Sequence, residues 1–207
     1  MIRQIIWDFD GVIVFSDEIR VSGFREVLKT YPETIVDKVL QYHQKNGGLS
    51  RYDKFRYMFS DLLNEEPDET KIAVLANRFS DIMKVKMANP KILNPDAMEF
   101  LEHTHGEILH HIASGSDGRE LRFLCDSLRI SKYFSTISGS PEPKTELVRA
   151  ILEKDLEFKD KTCLIGDSFN DLEAAKRNGI LFFGYNNAEL MQHADIYIIS
   201  FRSFEIS

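Results

Sequence analysis

The apolar positions divide the chain into stretches of different period. At the amino end, Ile2, Ile5, Ile6 and Trp7 form a short run, too brief for a helix before Gly11 stops it, and it reads as a buried strand. From Ser16 to about Asn89 only helical spacings occur. Ile19, Val27, Leu28 and Tyr31 predict a helix ended near Pro32. Ile35, Val36, Val39, Leu40 and Tyr42 predict a second, ended by Asn46-Gly47-Gly48. Tyr52, Phe55, Phe59, Leu62 and Leu63 form a third stripe running toward Pro67. Ile72, Leu75, Phe79, Ile82 and Met83 form a fourth, from Asp68 to about Met87. Four helices with short connections make a small bundle, and its aromatic and methionine residues are its core.

Asn89-Pro90-Lys91-Ile92-Leu93-Asn94-Pro95 then reads as a linker. Beyond it, helices are predicted over 95–104, 118–128, 144–154 and 171–178, the last closed by Gly179. Strands are predicted over 107–113, 134–138, 162–165, 180–185 and 196–199. Alternating strands and helices argue for an α/β protein with a Rossmann-like, doubly wound parallel sheet, interrupted after its first strand by an all-helical insertion. The expected division is a core of residues 1–15 and 90–207 with a helical cap of residues 16–89. Ligands of such sheets lie at the carboxyl ends of the strands.

Composition narrows the function. With 207 residues, 43% hydrophobic and 29% charged, the chain can bury a sizeable core. Its net charge of −7, without a basic run, makes nucleic acid and anionic membranes poor partners. Cys125 and Cys163 sit in apolar settings without metal-ligand spacing, as expected of buried thiols in a reducing compartment. Asp8 and Asp10 interrupt what would be a signal-peptide core, and no 18-residue apolar run follows, so a cytoplasmic protein is expected. The neighbours His110 and His111 lie within a predicted strand and face opposite sides, so they do not readily share a metal.

Four predicted strand ends or helix starts carry chemistry. In extended chain Asp8 and Asp10 point the same way, roughly 7 Å apart, an expensive arrangement unless a cation or phosphoryl group offsets it. Ser114-Gly115-Ser116 ends the second strand, where a hydroxyl and nearby N–H groups either bind phosphate oxygens or cap the next helix. Lys144 opens a helix, at the wrong end of the dipole unless an anion lies near. Asp167 and Asp171 flank the start of the last helix, where Ser168-x-x-Asp171 fits a capping box. Hard oxygen donors of this kind suit Mg²⁺, which binds through carboxylates, substrate phosphate and water.

In this order, Asp8-Phe9-Asp10-Gly11-Val12, Ser114, Lys144 and Gly166-Asp167-Ser168-Phe169-Asn170-Asp171 resemble the four motifs of the haloacid dehalogenase-like hydrolases over nearly the whole chain. The helical insertion resembles the cap of the phosphoglycolate phosphatase and β-phosphoglucomutase branch, and Gly47-Gly48-Leu49-Ser50-Arg51 resembles its substrate-contacting cap loop. The resemblance implies a Mg²⁺-dependent phosphatase acting on a small phosphorylated metabolite, such as a sugar phosphate. Asp8 would be the nucleophile and Asp10 the acid and base. Ser114, Gly115 and Lys144 would hold the phosphoryl group. Asp8, Asp167 and the Asp10 main-chain carbonyl would hold the metal, with Asp171 supporting that shell or ligating directly. Arg51 either contacts a substrate anion or is a solvated arginine at a helix start. Segments 15–17 and 89–95 would be hinges; relatives often carry Asp-Ser or Asp-Thr where Phe15-Ser16 stands.

The alternatives are a phosphomutase using the same residues, a dehalogenase, and a catalytically idle binding protein on the same fold. Dehalogenation needs neither Mg²⁺ nor an acid for an alkoxide, so Asp10, Asp167 and Asp171 count against it.

Overall fold

The computed structural model describes residues 1–206. Six parallel strands make one sheet: β1 (Gln4–Trp7), β2 (Leu109–Asp117), β3 (Thr136–Ser140), β4 (Thr162–Gly166), β5 (Leu181–Tyr185) and β6 (Ile196–Ile198). Their order is β3-β2-β1-β4-β5-β6, so the winding reverses beside β1. A crevice opens at such a reversal, outside the carboxyl ends of the strands.

All four residues of β1 are buried, and period-two alternation divides them between two cores. Ile5 and Trp7 face α5 (Pro95–Thr104) and α6 (Gly118–Ser127) through Phe100, Leu101, Leu121 and Leu124. Ile6 faces α7 (Lys144–Leu152) and α8 (Phe169–Asn178) through Val148, Ile151, Leu172 and Ala175. The sheet is therefore covered on both faces, as the alternating pattern predicts.

The four helices α1 (Asp17–Val27), α2 (Glu33–Lys45), α3 (Arg51–Tyr57) and α4 (Glu69–Met87) fall between β1 and β2. Phe24, Val39, Phe55, Phe79 and Met83 fill the space among them, on the helical spacings of the sequence. The third helix does not run on as regular α structure: it passes into a π-helical turn at Met58–Leu62. Asp68 caps α4 by accepting from the N–H groups of Thr70 and Lys71. The chain entering the helices and the chain leaving them lie side by side. Phe15 N donates to Ile92 O at 2.8 Å, Asn94 N to Ile13 O at 2.9 Å, and Asn94 Nδ2 to Val12 O at 2.9 Å.

The largest difference from the sequence pattern is at β2, expected to end at Ala113. It runs on to Asp117, because Ser114 pairs with Gly139 and, past a register shift, Asp117 pairs with Ser140 of β3. Backbone pairing with a neighbour holds these polar residues extended where their own alternation gave no strand signal. The cap of α6 is accordingly Asp117, which accepts from Arg119 N and Glu120 N, and neither Ser114 nor Ser116. Likewise α8 starts at Phe169, two residues earlier than expected, with the Ser168–Asp171 capping box formed.

Candidate active site

Asp8 lies one residue past β1, its N–H donating to Ile165 O at 2.9 Å. Its Oδ1 accepts from Phe9 N at 2.7 Å and from the Lys144 ammonium at 2.9 Å. Lys144 is the first residue of α7 and is buried; its ammonium also pairs with Asp171. The two carboxylates answer the dipole problem posed by a lysine at this end of a helix. Burial works against the ammonium, but Asp171 and Asp8 outweigh it and hold its pKa above the ordinary value. Asp171 is the third residue of α8. Its other oxygen accepts from Ser168 N at 3.1 Å and Ser168 Oγ at 2.6 Å.

Asp8, Asp167 and Asp171 each offer one oxygen, and the three lie within 4.8 Å of one another. Gly11, at φ +77°, makes room for this: a Cβ there would overlap the Asp167 carboxylate. Burial, then the charge of Asp171, raises the Asp8 pKa to about 7, with Lys144 opposing. Burial, then Asp8, raises Asp167 to about 9. Three crowded carboxylates share one ammonium, and a second source of positive charge relieves the excess. An all-oxygen donor set of this charge and spacing fits a hard divalent cation.

Asp10 has a different set of partners. The chain bends after Asp8, and Asp10 does not continue the extended strand but sits in an isolated bridge with Val14. Arg20 of α1 reaches it with Nε to Oδ1 at 3.0 Å and Nη2 to Oδ2 at 3.0 Å. Ser16 Oγ donates to Oδ1 at 2.5 Å and Ser116 Oγ to Oδ2 at 2.7 Å. Burial opposes the charge, but Arg20 and the two hydroxyls win and lower the Asp10 pKa to about 2. The same Arg20 donates from Nη1 to Glu120 Oε1 at 2.5 Å, and Arg51 donates to Glu120 Oε2 at 2.5 Å and to Ser80 Oγ at 2.7 Å. Glu120, on α6, has no exposed surface. Its burial is more than offset by Arg20 and Arg51, so its pKa lies below the usual carboxylate value. The Phe79 ring lies 4.5 Å from the Arg51 guanidinium carbon.

Arg51 is therefore no solvated arginine at a helix start. Its charge is taken up by a carboxylate of the sheet domain, which ties α3 to α6. Tyr52 Oη adds a bond to Asp117 Oδ2 at 2.8 Å, and Asn170 Nδ2 donates to Gly48 O at 2.9 Å. Gly115 belongs to the same contact, since a Cβ on it would overlap the Gly48 carbonyl. Ser114 is buried, its Oγ accepting from Ser116 N at 3.1 Å.

A cavity of about 70 Å³ gathers these groups, with Asp8, Asp10, Asp167 and Ser114 from the sheet side and Arg20, Arg51 and Lys54 from the helices. Lys144 and Asp171 adjoin Asp8 at the edge of that lining. Sequence reasoning missed Arg20, Glu120 and Lys54, and it named Ser116 as a phosphate-binding or capping candidate without foreseeing its bond to Asp10. Nothing in the local pattern distinguishes Arg20 from a helix-surface cation, because its partner Glu120 is 100 residues away. His110 and His111 do face opposite sides: the first accepts from Trp7 Nε1 at 3.0 Å and the second bonds Gln4 and Thr136.

Known structures share this architecture. β-Phosphoglucomutase from Clostridium difficile superposes with a TM-score of 0.75 at 16% identity, covering 100% of this chain and 94% of that one. CbbY from Rhodobacter sphaeroides, solved with xylulose-1,5-bisphosphate, gives 0.75 at 19% identity over 98% and 96%. YfnB from Bacillus subtilis, solved bound to magnesium, gives 0.71 at 16% over 96% and 95%. A comparison with curated protein sequences returns no match. The profile of the haloacid dehalogenase-like hydrolases matches residues 5–185, from β1 to the end of β5. The chain belongs to the haloacid dehalogenase-like hydrolase family.

Proposed function

We propose that the protein is a Mg²⁺-dependent phosphatase that hydrolyses a small phosphomonoester through an aspartyl-phosphate. One observation carries this reading: a buried carboxylate, Asp8, held at 2.9 Å by a buried lysine and crowded by Asp167 and Asp171. A carboxylate so placed is a nucleophile whose approach to an anionic ester needs further positive charge. Asp8 and Asp167 would hold Mg²⁺ together with the Asp10 main-chain carbonyl. Asp171, its oxygens already engaged by Lys144 and Ser168, supports the shell. Bound there, the ion supplies the charge that lets two anions meet.

The chain's own groups do the rest. Asp8 attacks phosphorus and the bond to the leaving oxygen breaks. The Ser114 hydroxyl and the Lys144 ammonium hold phosphoryl oxygens as charge builds on them. Asp10 protonates the leaving alkoxide and then takes a proton from the water that hydrolyses the aspartyl-phosphate. In its Arg20-bound, ionised form Asp10 is ready for the second of these tasks. For the first, the grip of Arg20 must loosen so that the carboxyl can carry a proton. Residues 16–89 act as a cap whose movement admits substrate and then excludes water, the remaining residues forming the core. Phosphate release from a panel of sugar phosphates, hydroxy-acid phosphates and nucleotides tests the reading. Release with Mg²⁺ that stops with EDTA is expected; no release from any ester, or indifference to chelator, rejects it.

A further inference from the structure

The polar contacts along the seam between the helical insertion and the sheet domain differ in kind. Tyr52 to Asp117 and Asn170 to Gly48 are single, part-buried bonds. Glu120 has no exposed surface, and each of its oxygens takes a different guanidinium of the insertion. Oε1 accepts from Arg20 of α1 and Oε2 from Arg51 of α3, both at 2.5 Å. The arginines are 5% and 4% exposed. The Phe79 ring of α4 covers them, 6.0 Å from the Arg20 guanidinium carbon and 4.5 Å from that of Arg51. Three helices of the insertion thus meet over one side chain of α6. The third cation that the insertion brings to the cavity, Lys54, adds nothing to the seam. Its ammonium donates to His43 Nδ1 at 2.9 Å and to Gly47 O at 3.3 Å, both within the insertion, and among the described residues no carboxylate pairs with it.

We propose that Glu120 is a latch: with the site empty it holds the helical insertion down on the sheet, and a substrate enters only after both arginines have left it. The cavity closed off in this way holds about 70 Å³, against roughly 300–1,000 Å³ for pockets that take a small molecule. Glu120 does not line that cavity. It acts through Arg20 and Arg51 and is a positioning residue. Without its charge two buried guanidinium groups would share Asp10, which reaches only Arg20. Lifting the insertion returns all three charges to water together, the one motion that parts them without leaving any of them buried and alone. The inference goes beyond the phosphatase reading and needs no turnover to be tested.

Cys125 and Cys163 are buried, so cysteines introduced at the exposed positions Gln41 of α2 and Lys176 of α8 take spin labels selectively. Pulsed dipolar spectroscopy then reads the distance from insertion to sheet domain in the protein without ligand. One narrow distance is expected in the otherwise wild-type protein. In Glu120→Gln the ratio of closed to open protein should fall by about 100-fold or more, so that a second, longer distance appears. Val148→Ala weakens the core between the sheet and α7 without touching the seam and should keep the wild-type distance. A broad or long distribution without Glu120→Gln overturns the proposal. So does an unchanged distance in Glu120→Gln, or an equal lengthening in Val148→Ala. Should Glu120→Gln fail to fold, Arg51→Met, which removes one of the two pairs, decides: a smaller shift to the longer distance sustains the latch, and no shift removes it.

Discussion

Asp8 and Asp10 stand two residues apart at the exit of the central strand, the first buried and the second half-buried in the same crevice, yet their acidities are driven in opposite directions. Asp8 is raised to about 7 by burial and then by the charge of Asp171, with Lys144 the one cation opposing them. Asp10 is lowered to about 2 because an arginine and two hydroxyls converge on it. Burial opposes the charge of each, and the partners decide whether it is outweighed. The partners of Asp8 arrive from α7 and the β4–α8 turn. The chief partner of Asp10 arrives from α1, in the insertion, and is itself anchored by Glu120 of α6. One half of the site is thus built by the sheet, and the other only when the helices are docked on it.

The comparison breaks most visibly at Asp8. Asp8→Asn should lower turnover by about 10⁴-fold or more, as removing a nucleophile does, while the far-ultraviolet circular dichroism stays that of the wild type. Retained activity would remove Asp8 from its role. Glu120→Gln attacks the other half. It leaves two buried guanidinium groups short of a counter-ion, and breaking a buried pair costs about 3 kcal/mol or more. In a domain of this size the melting temperature should fall by about 6–12 °C. A shift under 2 °C would show that the Arg20–Glu120–Arg51 bridge is not held in solution.

Arg20→Met should sharpen the contrast by abolishing it. The Asp10 pKa then rises by about two units or more, since burial is no longer outweighed, and hydrolysis of the aspartyl-phosphate, which needs Asp10 ionised, gains an acidic limb in the kcat profile between about pH 4 and 6. In the wild type no Asp10 limb lies above pH 4. The stability consequence has a definite sign. A depressed carboxylate stabilises the fold above its unfolded pKa near 4, and that contribution is lost as pH falls toward 2. The deficit of Arg20→Met against wild type at pH 7 should therefore shrink on acidification below pH 4, followed by urea unfolding. Identical pH profiles for the two proteins would contradict the assignment. The smallest effect is expected from Tyr52→Phe, which removes the bond to Asp117 across the insertion and costs about 1 kcal/mol. It should raise KM more than it lowers kcat. The reverse pattern would place Tyr52 in the chemistry instead of in docking.

How much of this the chain announces depends on the range of the interaction. The strand, the helices and the capping box at Ser168–Asp171 are local patterns, and they were legible from spacing and turn residues. So were the carboxylates, hydroxyl and lysine that a parallel sheet delivers to its carboxyl edge, because topology alone brings strand ends together. The extension of β2 through Ser114–Asp117 was not legible, since it is imposed by pairing with Gly139 and Ser140. Nor were Arg20, Lys54 and Glu120, which read as ordinary charged positions on amphipathic helices. Whether such a residue faces water or a buried ion pair is decided by how the insertion docks on the sheet. The order and chemistry of the strand ends were written in the amino-acid sequence itself. Which carboxylate is cramped and which is clamped, and which cation is left without an anion, only tertiary packing could decide, because desolvation and charge pairing act between groups far apart in the chain.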